Sequence, residues 1–235
     1  MSSRAAFALM ILSLAACRSG QDDGSFPAAD RDVAPIVNDS FSTEDVRDRT
    51  GEAEEVMRLA EIRPGMSVAD VGAGEGYYTV RLSPIVGQRG RVLAQDIVRE
   101  TRDKLAQRVQ REKLDNVAVR LGTPADPMLP MKSFDRILLV HMYHEVTQPY
   151  EFLWNLRQGL KADGLVVVVD SNRPVKRHGM PPQLLLCEFA AVGLIPVKTV
   201  QLAGSDAYFA AFKITAPLPA PRNIKPCKMD PASQA

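Results

Sequence analysis

The stretch Val68-Ala69-Asp70-Val71-Gly72-Ala73-Gly74-Glu75-Gly76-Tyr77-Tyr78-Thr79 constrains this chain more than any other. Ser67 to Val71 is a short apolar run of the kind that forms a buried parallel strand. From Tyr77 on, Val80, Leu82, Ile85 and Val86 fall at helical spacing. Between strand and helix stand Gly72, Gly74 and Gly76 at alternate positions. Glycine reaches backbone angles closed to other residues and has no Cβ to hold a ligand away. The start of the following helix offers unpaired N–H groups and the positive end of a dipole. The unit is therefore a cradle for a nucleotide-like or carboxylate-bearing ligand.

The glycine spacing separates two kinds of cradle. A dinucleotide fold wants Gly-x-Gly-x-x-Gly, which would place its third glycine at Tyr77; here Gly76 comes one residue early. An acid, Asp70, also precedes the first glycine by two. Asp-x-Gly-x-Gly-x-Gly resembles the first motif of class I S-adenosylmethionine (SAM)-dependent methyltransferases. The resemblance implies SAM as cofactor, with Asp70 near its amino acid end and Gly72, Ala73, Gly74 and Gly76 along its methionyl portion. A nicotinamide-dependent oxidoreductase is disfavoured by the same residues.

The N-terminus points elsewhere. Arg4 precedes an apolar run from Ala5 to Ala16 and then Cys17, the pattern of a secretory signal and too short for a comfortable transmembrane span. Leu14-Ala15-Ala16-Cys17 resembles the bacterial lipobox, which implies acylation at Cys17, attachment to a membrane and a periplasm-facing envelope location, the outer membrane slightly favoured over the inner; a misread signal would leave the chain in the cytoplasm. Residues 18–42 are polar with Gly, Asp, Ser and Pro, and read as a flexible tether. Cys187 and Cys227 remain. An oxidising compartment permits a disulfide between them, but the preferred reading is a buried Cys187 and a loose Cys227 in the tail. No cluster has metal-site spacing, so no metal is expected. A net charge of +1 gives no electrostatic case for nucleic acid.

Along residues 43–215, Thr43 to Ile62 reads as an amphipathic helix broken at Gly51. Arg91 to Asp96 is a second strand, Glu100 to Lys113 a helix and Asn116 to Leu121 a third strand. Prolines make 122–127 a loop. Phe134 to Val140 is a fourth strand, Tyr150 to Leu160 a helix and Leu165 to Asp170 a central fifth strand. A helix from Pro181-Pro182 to Val192 precedes two strands, Ile195 to Leu202 and Ala207 to Ile214, joined by Ala203-Gly204-Ser205-Asp206 as a hairpin. Residues 216–235 read as an irregular Pro-rich tail. The sum is an α/β fold with a mostly parallel sheet closed by a C-terminal antiparallel hairpin, and the resemblance implies the seven-stranded, Rossmann-like class I methyltransferase fold. Together with Val86 to Val92 and the run Phe134 to Glu145, the glycine motif resembles predicted bacterial methyltransferases of the quinone-biosynthesis type. Val86 to Val92 also resembles protein isoaspartate methyltransferases.

Asp96 ends the second strand, where a carboxylate can accept from both ribose hydroxyls, and Ile97 beside it can pack on adenine. The resemblance puts an acid near the adenine amino group. The nearest acid here is Asp126, which serves equally well as a turn former before Pro127. After the fourth strand, His141 is expected to support the cofactor pocket. His144 with Glu145 is the candidate base, since histidine titrates in the useful range, and Tyr143 is the candidate acceptor wall. The implied reaction is in-line methyl transfer to a small-molecule acceptor. A non-catalytic nucleoside-binding lipoprotein is the alternative.

Overall fold

The computed structural model describes residues 25–36 and 44–228. The signal segment, Cys17 and the first part of the tether lie outside these residues. Among the described residues, no helix is long and apolar enough to cross a membrane.

A seven-stranded sheet with order β3-β2-β1-β4-β5-β7-β6 runs through the chain. The strands are β1 (Ser67–Val71), β2 (Arg91–Asp96), β3 (Val117–Leu121), β4 (Phe134–Val140), β5 (Leu160–Ser171), β6 (Leu194–Gln201) and β7 (Ala207–Ile214). β7 pairs antiparallel with β5 and β6, while the pairs from β3 through β5 are parallel. The expected mostly parallel sheet with its C-terminal hairpin is the one observed. Among the described residues the helices are α1 (Glu44–Thr50), α2 (Glu52–Leu59), α3 (Tyr77–Val86), α4 (Arg99–Arg111), α5 (Pro149–Gln158) and α6 (Pro182–Ala191). The break at Gly51 is real, its φ of 66° turning α1 into α2.

β5 shows why the middle of the sheet is apolar on both faces. Val166 and Val168 enter one core with Leu139, Leu153, Leu185 and Phe189. Val167 and Val169 enter the other, with Val56, Tyr78, Leu82 and Phe209. Successive side chains on a strand point to opposite faces, so a strand covered on both sides must be apolar throughout.

The ends of the chain depart from expectation. Residues 25–36, read as part of a tether, lie against the fold as a strap. Phe26 packs edge-on to Trp154, and the Ala34 N–H donates to the His144 carbonyl at 3.1 Å. The tail also packs, as far as Lys228: Ile224 and Cys227 are buried, and Trp154 donates to the Pro219 carbonyl. Asp30 and Lys228 form a β-bridge between strap and tail. Cys227 is not loose. It is bonded to Cys187 on α6, with Cα atoms 6.0 Å apart. Forty residues separate the two in sequence, and only the folding of the tail back onto α6 brings them within bonding reach.

Candidate active site

At the C-terminal ends of β1, β2 and β4 the sheet opens into a cleft of about 230 Å³. The crevice beyond the carboxyl ends of parallel strands is where ligands enter folds of this kind. Its wall includes Gly72, Gly74, Gln95, Asp96, Ile97, Thr123, Val140, His141, Met142, Glu145 and Phe152.

The glycine turn is shaped for close approach. Gly74 has φ of 57°, and among the described residues a Cβ there would meet no atom within 4 Å; it would project into open space at a residue on the cleft wall. Gly76 has another task. Its φ is 93° at the start of α3, and a Cβ would stand 2.5 Å from Leu105 Cδ1 on α4. Gly76 is off the wall and lets two helices close. Ala73 is also off the wall, its N–H donated to the Gln95 carbonyl at 2.9 Å.

The acids take distinct positions. Asp96 is on the wall: Oδ2 accepts from Gly74 N–H at 3.0 Å and Oδ1 from Val98 N–H at 2.8 Å. One carboxylate thus ties the end of β2 to the glycine turn. Asp70 lies beneath the turn, 3% exposed, with Oδ2 accepting from the Thr79 hydroxyl at 2.6 Å. Burial pushes its pKa up to about 6, against the pull of that hydroxyl. Asp126 does not reach the cleft. Its Oδ1 accepts from Met128 N–H at 2.7 Å and its backbone pairs with Thr123, so it is a turn former, and Thr123 and Pro124 face the cleft in its place.

His141 stands on the wall, its Nε2 2.9 Å from Glu52 Oε2. Glu52 also receives Arg47 at 2.7 Å and the Tyr78 hydroxyl at 3.0 Å. Burial opposes its ionisation, but His141 and Arg47 hold its pKa down at about 2. The α1–α2 pair is thereby fastened to the rim of the cleft.

The loop after β4 is divided. Glu145 is on the wall, but Tyr143 is not. Tyr143 is fully buried and donates its hydroxyl to Glu188 Oε2 at 2.7 Å, so it cannot shape an acceptor wall. His144 is off the cleft wall too, 3% exposed, with Nδ1 3.0 Å from each carboxylate oxygen of Asp170. The two residues belong to a tight 3₁₀ turn, Tyr143–Glu145, which directs neighbours to different sides.

Sequence reasoning missed several residues. Gln95 lies on the wall, 1% exposed, its Nε2 without a hydrogen-bond partner among the described residues. An orphaned buried amide beside a cleft is a donor waiting for a ligand acceptor. Asp170 could have been noticed as an acid at a strand end, like Asp70 and Asp96. Glu52 and Glu188 act through partners far away in sequence, and nothing local marks them.

The sheet order and the cleft at the ends of its parallel strands define a class of fold, the Rossmann-like α/β fold shared with solved methyltransferase structures. Residues 69–168 match the family model described as a methyltransferase domain. SAM is the cofactor that the matched family and the solved neighbours point to, and the Gln95 amide, unpartnered among the described residues, the open space at Gly74 and the Asp96 carboxylate suit a ligand with polar ends. A protein-L-isoaspartate O-methyltransferase of Ignicoccus hospitalis is 25% identical over 119 residues, 51% of this chain and 54% of that protein. The ubiquinone/menaquinone biosynthesis C-methyltransferase UbiE of Shewanella frigidimarina is 31% identical over 121 residues, 50% of this chain and 47% of its own. This chain therefore spans about half the length of these curated relatives. In structure, a SAM-dependent methyltransferase from Aquifex aeolicus superposes with a TM-score of 0.66 at 24% identity, covering 70% of this chain and 90% of that one. That likeness is one of fold.

Proposed function

We propose that this protein transfers a methyl group from SAM to a small molecule. The observation that carries the reading is the Asp96–Gly74 link on the cleft wall, within a stretch that matches the methyltransferase domain. Methyl transfer from a sulfonium is an in-line displacement, so it demands alignment and exclusion of water more than it demands a catalytic group. Asp96 would accept from the ribose hydroxyls and Ile97 would pack on adenine. Gly72 and Gly74 would admit the methionyl portion, with Asp70 beneath. Met142, Glu145 and Phe152 would form the side facing the acceptor, and Glu145 supplies a carboxylate there for an acceptor's proton. His144, its Nδ1 held by Asp170, lies off the cleft wall beside Glu145 in the same 3₁₀ turn. No feature of the described residues favours the non-catalytic alternative.

Calorimetric titration with SAM, S-adenosylhomocysteine and NAD tests the reading. SAM and S-adenosylhomocysteine should bind and NAD should not. Asp96→Ala removes the ribose acceptor and unhooks the turn, while Gly74→Val puts a side chain into the cleft at a left-handed backbone position. Each should weaken SAM binding tenfold or more, about 1.4 kcal/mol or above. Unchanged titration curves for both variants would sink the assignment.

We also propose that the chain is exported and lipidated at Cys17, with the domain facing an oxidising envelope compartment. The lipobox-like Leu14-Ala15-Ala16-Cys17 and the Cys187–Cys227 disulfide support this, because such bonds persist outside the reducing cytoplasm. A radiolabelled fatty acid should mark the wild type and leave Cys17→Ser unlabelled. Absence of label from both, with the protein in the soluble cytoplasmic fraction, would refute it.

A further inference from the structure

Beside the cleft, side chains from two segments converge at the C-terminal ends of β4 and β5. His144 and Glu145 come from the 3₁₀ turn after β4, and His178 from the loop after β5. One ligand atom of each lies within 4.8 Å of the others. Asp170, fully buried, sits behind His144 with both oxygens 3.0 Å from Nδ1. A carboxylate accepts, so Nδ1 carries the proton and Nε2 keeps a lone pair. That Nε2 is buried and, among the described residues, has no hydrogen-bond partner. Leaving a buried acceptor unmatched is costly, and such an atom needs an explanation. The His178 ring stands edge-on to that of His144, with centroids 5.6 Å apart.

We propose that His144, Glu145 and His178 form a binding site for one divalent transition-metal ion of the zinc type, with Asp170 orienting the His144 ligand. Two imidazoles and one carboxylate suit such an ion, whereas magnesium and calcium seek oxygen throughout. Ligands at about 2.0–2.2 Å from an ion stand roughly 3–4 Å apart, so the side chains draw in by about an ångström on binding. A carboxylate behind a metal-bound imidazole fixes its tautomer and raises its basicity, which is the relation of Asp170 to His144. Three protein ligands leave a coordination position open to an oxygen donor. Since Glu145 also lines the cleft, that position adjoins the side assigned to the acceptor. The sequence concealed the site because His178 comes from a different loop and no short spacing joins it to His144.

The test is independent of methyl transfer. The full chain, stripped with a chelator, is titrated with Co²⁺ as a spectroscopic probe, followed by Zn²⁺ competition. One equivalent of Co²⁺ should bind with visible d–d absorption, and Zn²⁺ should displace it. Asp170→Asn keeps every ligand and should still weaken binding by about 10–100-fold. His144→Ala and His178→Ala should abolish the absorption. Circular dichroism checks that each variant is folded; His178→Ala, in a partly exposed loop, is the deciding variant if the buried His144 variant does not fold. No saturable Co²⁺ binding by the wild type, or undiminished binding in His178→Ala, would overturn the proposal. SAM titration of the same samples reports separately on the cofactor reading.

Discussion

Reduction of the Cys187–Cys227 bond is expected to lower the stability of the folded chain by about 4 kcal/mol, the chain-entropy value for a closed loop of this length. The loop spans 40 residues and includes β6 and β7, so the unfolded chain gains much freedom when it opens. The folded side loses anchorage as well. Cys227 donates its N–H to the Tyr150 hydroxyl, and neighbouring Ile224 is buried in the core under α5 and α6. Urea unfolding with and without dithiothreitol measures the difference, and a Cys187→Ala/Cys227→Ala double variant should reproduce it without reductant. A midpoint that does not move in either experiment would mean that the tail holds itself in place. The effect should extend to the cleft, because the tail bridges to the strap at Asp30 and the strap reaches the cleft wall at Ile36.

That chain of contacts marks the boundary of what could be read from sequence. β4 and β7 fall where the apolar runs place them, Phe134–Val140 and Ala207–Ile214. The glycine turn was legible because its requirement is local: backbone angles and space dictate residue type at fixed spacing. β5 was legible only in part. Lys161-Ala162-Asp163-Gly164 has turn composition, yet the strand runs from Leu160, with Phe134 paired to Leu160 and a register shift before Arg136. Asp126 and Tyr143 show a second kind of loss. Both stand in loops beside the cleft, and a rotation of one residue decides whether a side chain faces ligand or protein. The strap and tail show a third kind. Their composition is that of linkers, and they become ordered through a few long-range partners, the separation of Arg31 and Glu188 being 157 residues. Hydrophobic periodicity carries no trace of such pairs.

Arg31→Ala is expected to destabilise the protein by about 3–5 kcal/mol, the range for stripping one partner from a buried ion pair. The Arg31 side chain is 0% exposed and that of Glu188 1%. Arg31 Nε donates to Glu188 Oε1 at 2.8 Å, Nη2 donates to the Val146 carbonyl at 3.1 Å, and the guanidinium stands over the Tyr143 ring at 5.6 Å. Glu188 accepts the Tyr143 hydroxyl with its other oxygen. Burial already pushes the Glu188 pKa up and Arg31 resists that push; without Arg31 the carboxylate faces burial alone and must take a proton. The penalty therefore belongs to the abandoned carboxylate more than to the lost attraction. An Arg31→Met/Glu188→Gln double variant, apolar where the cation was and neutral where the anion was, should recover most of the loss and keep an acceptor for Tyr143. Denaturant midpoints of the single and double variants measure both effects. A single variant within about 1 kcal/mol of wild type would show that water reaches Glu188 and that the strap does not seal it. Should the loss be as large as expected, Arg31 is the residue that fastens a linker-like sequence to the fold, holding Val146 on one wall of the cleft from outside the sheet.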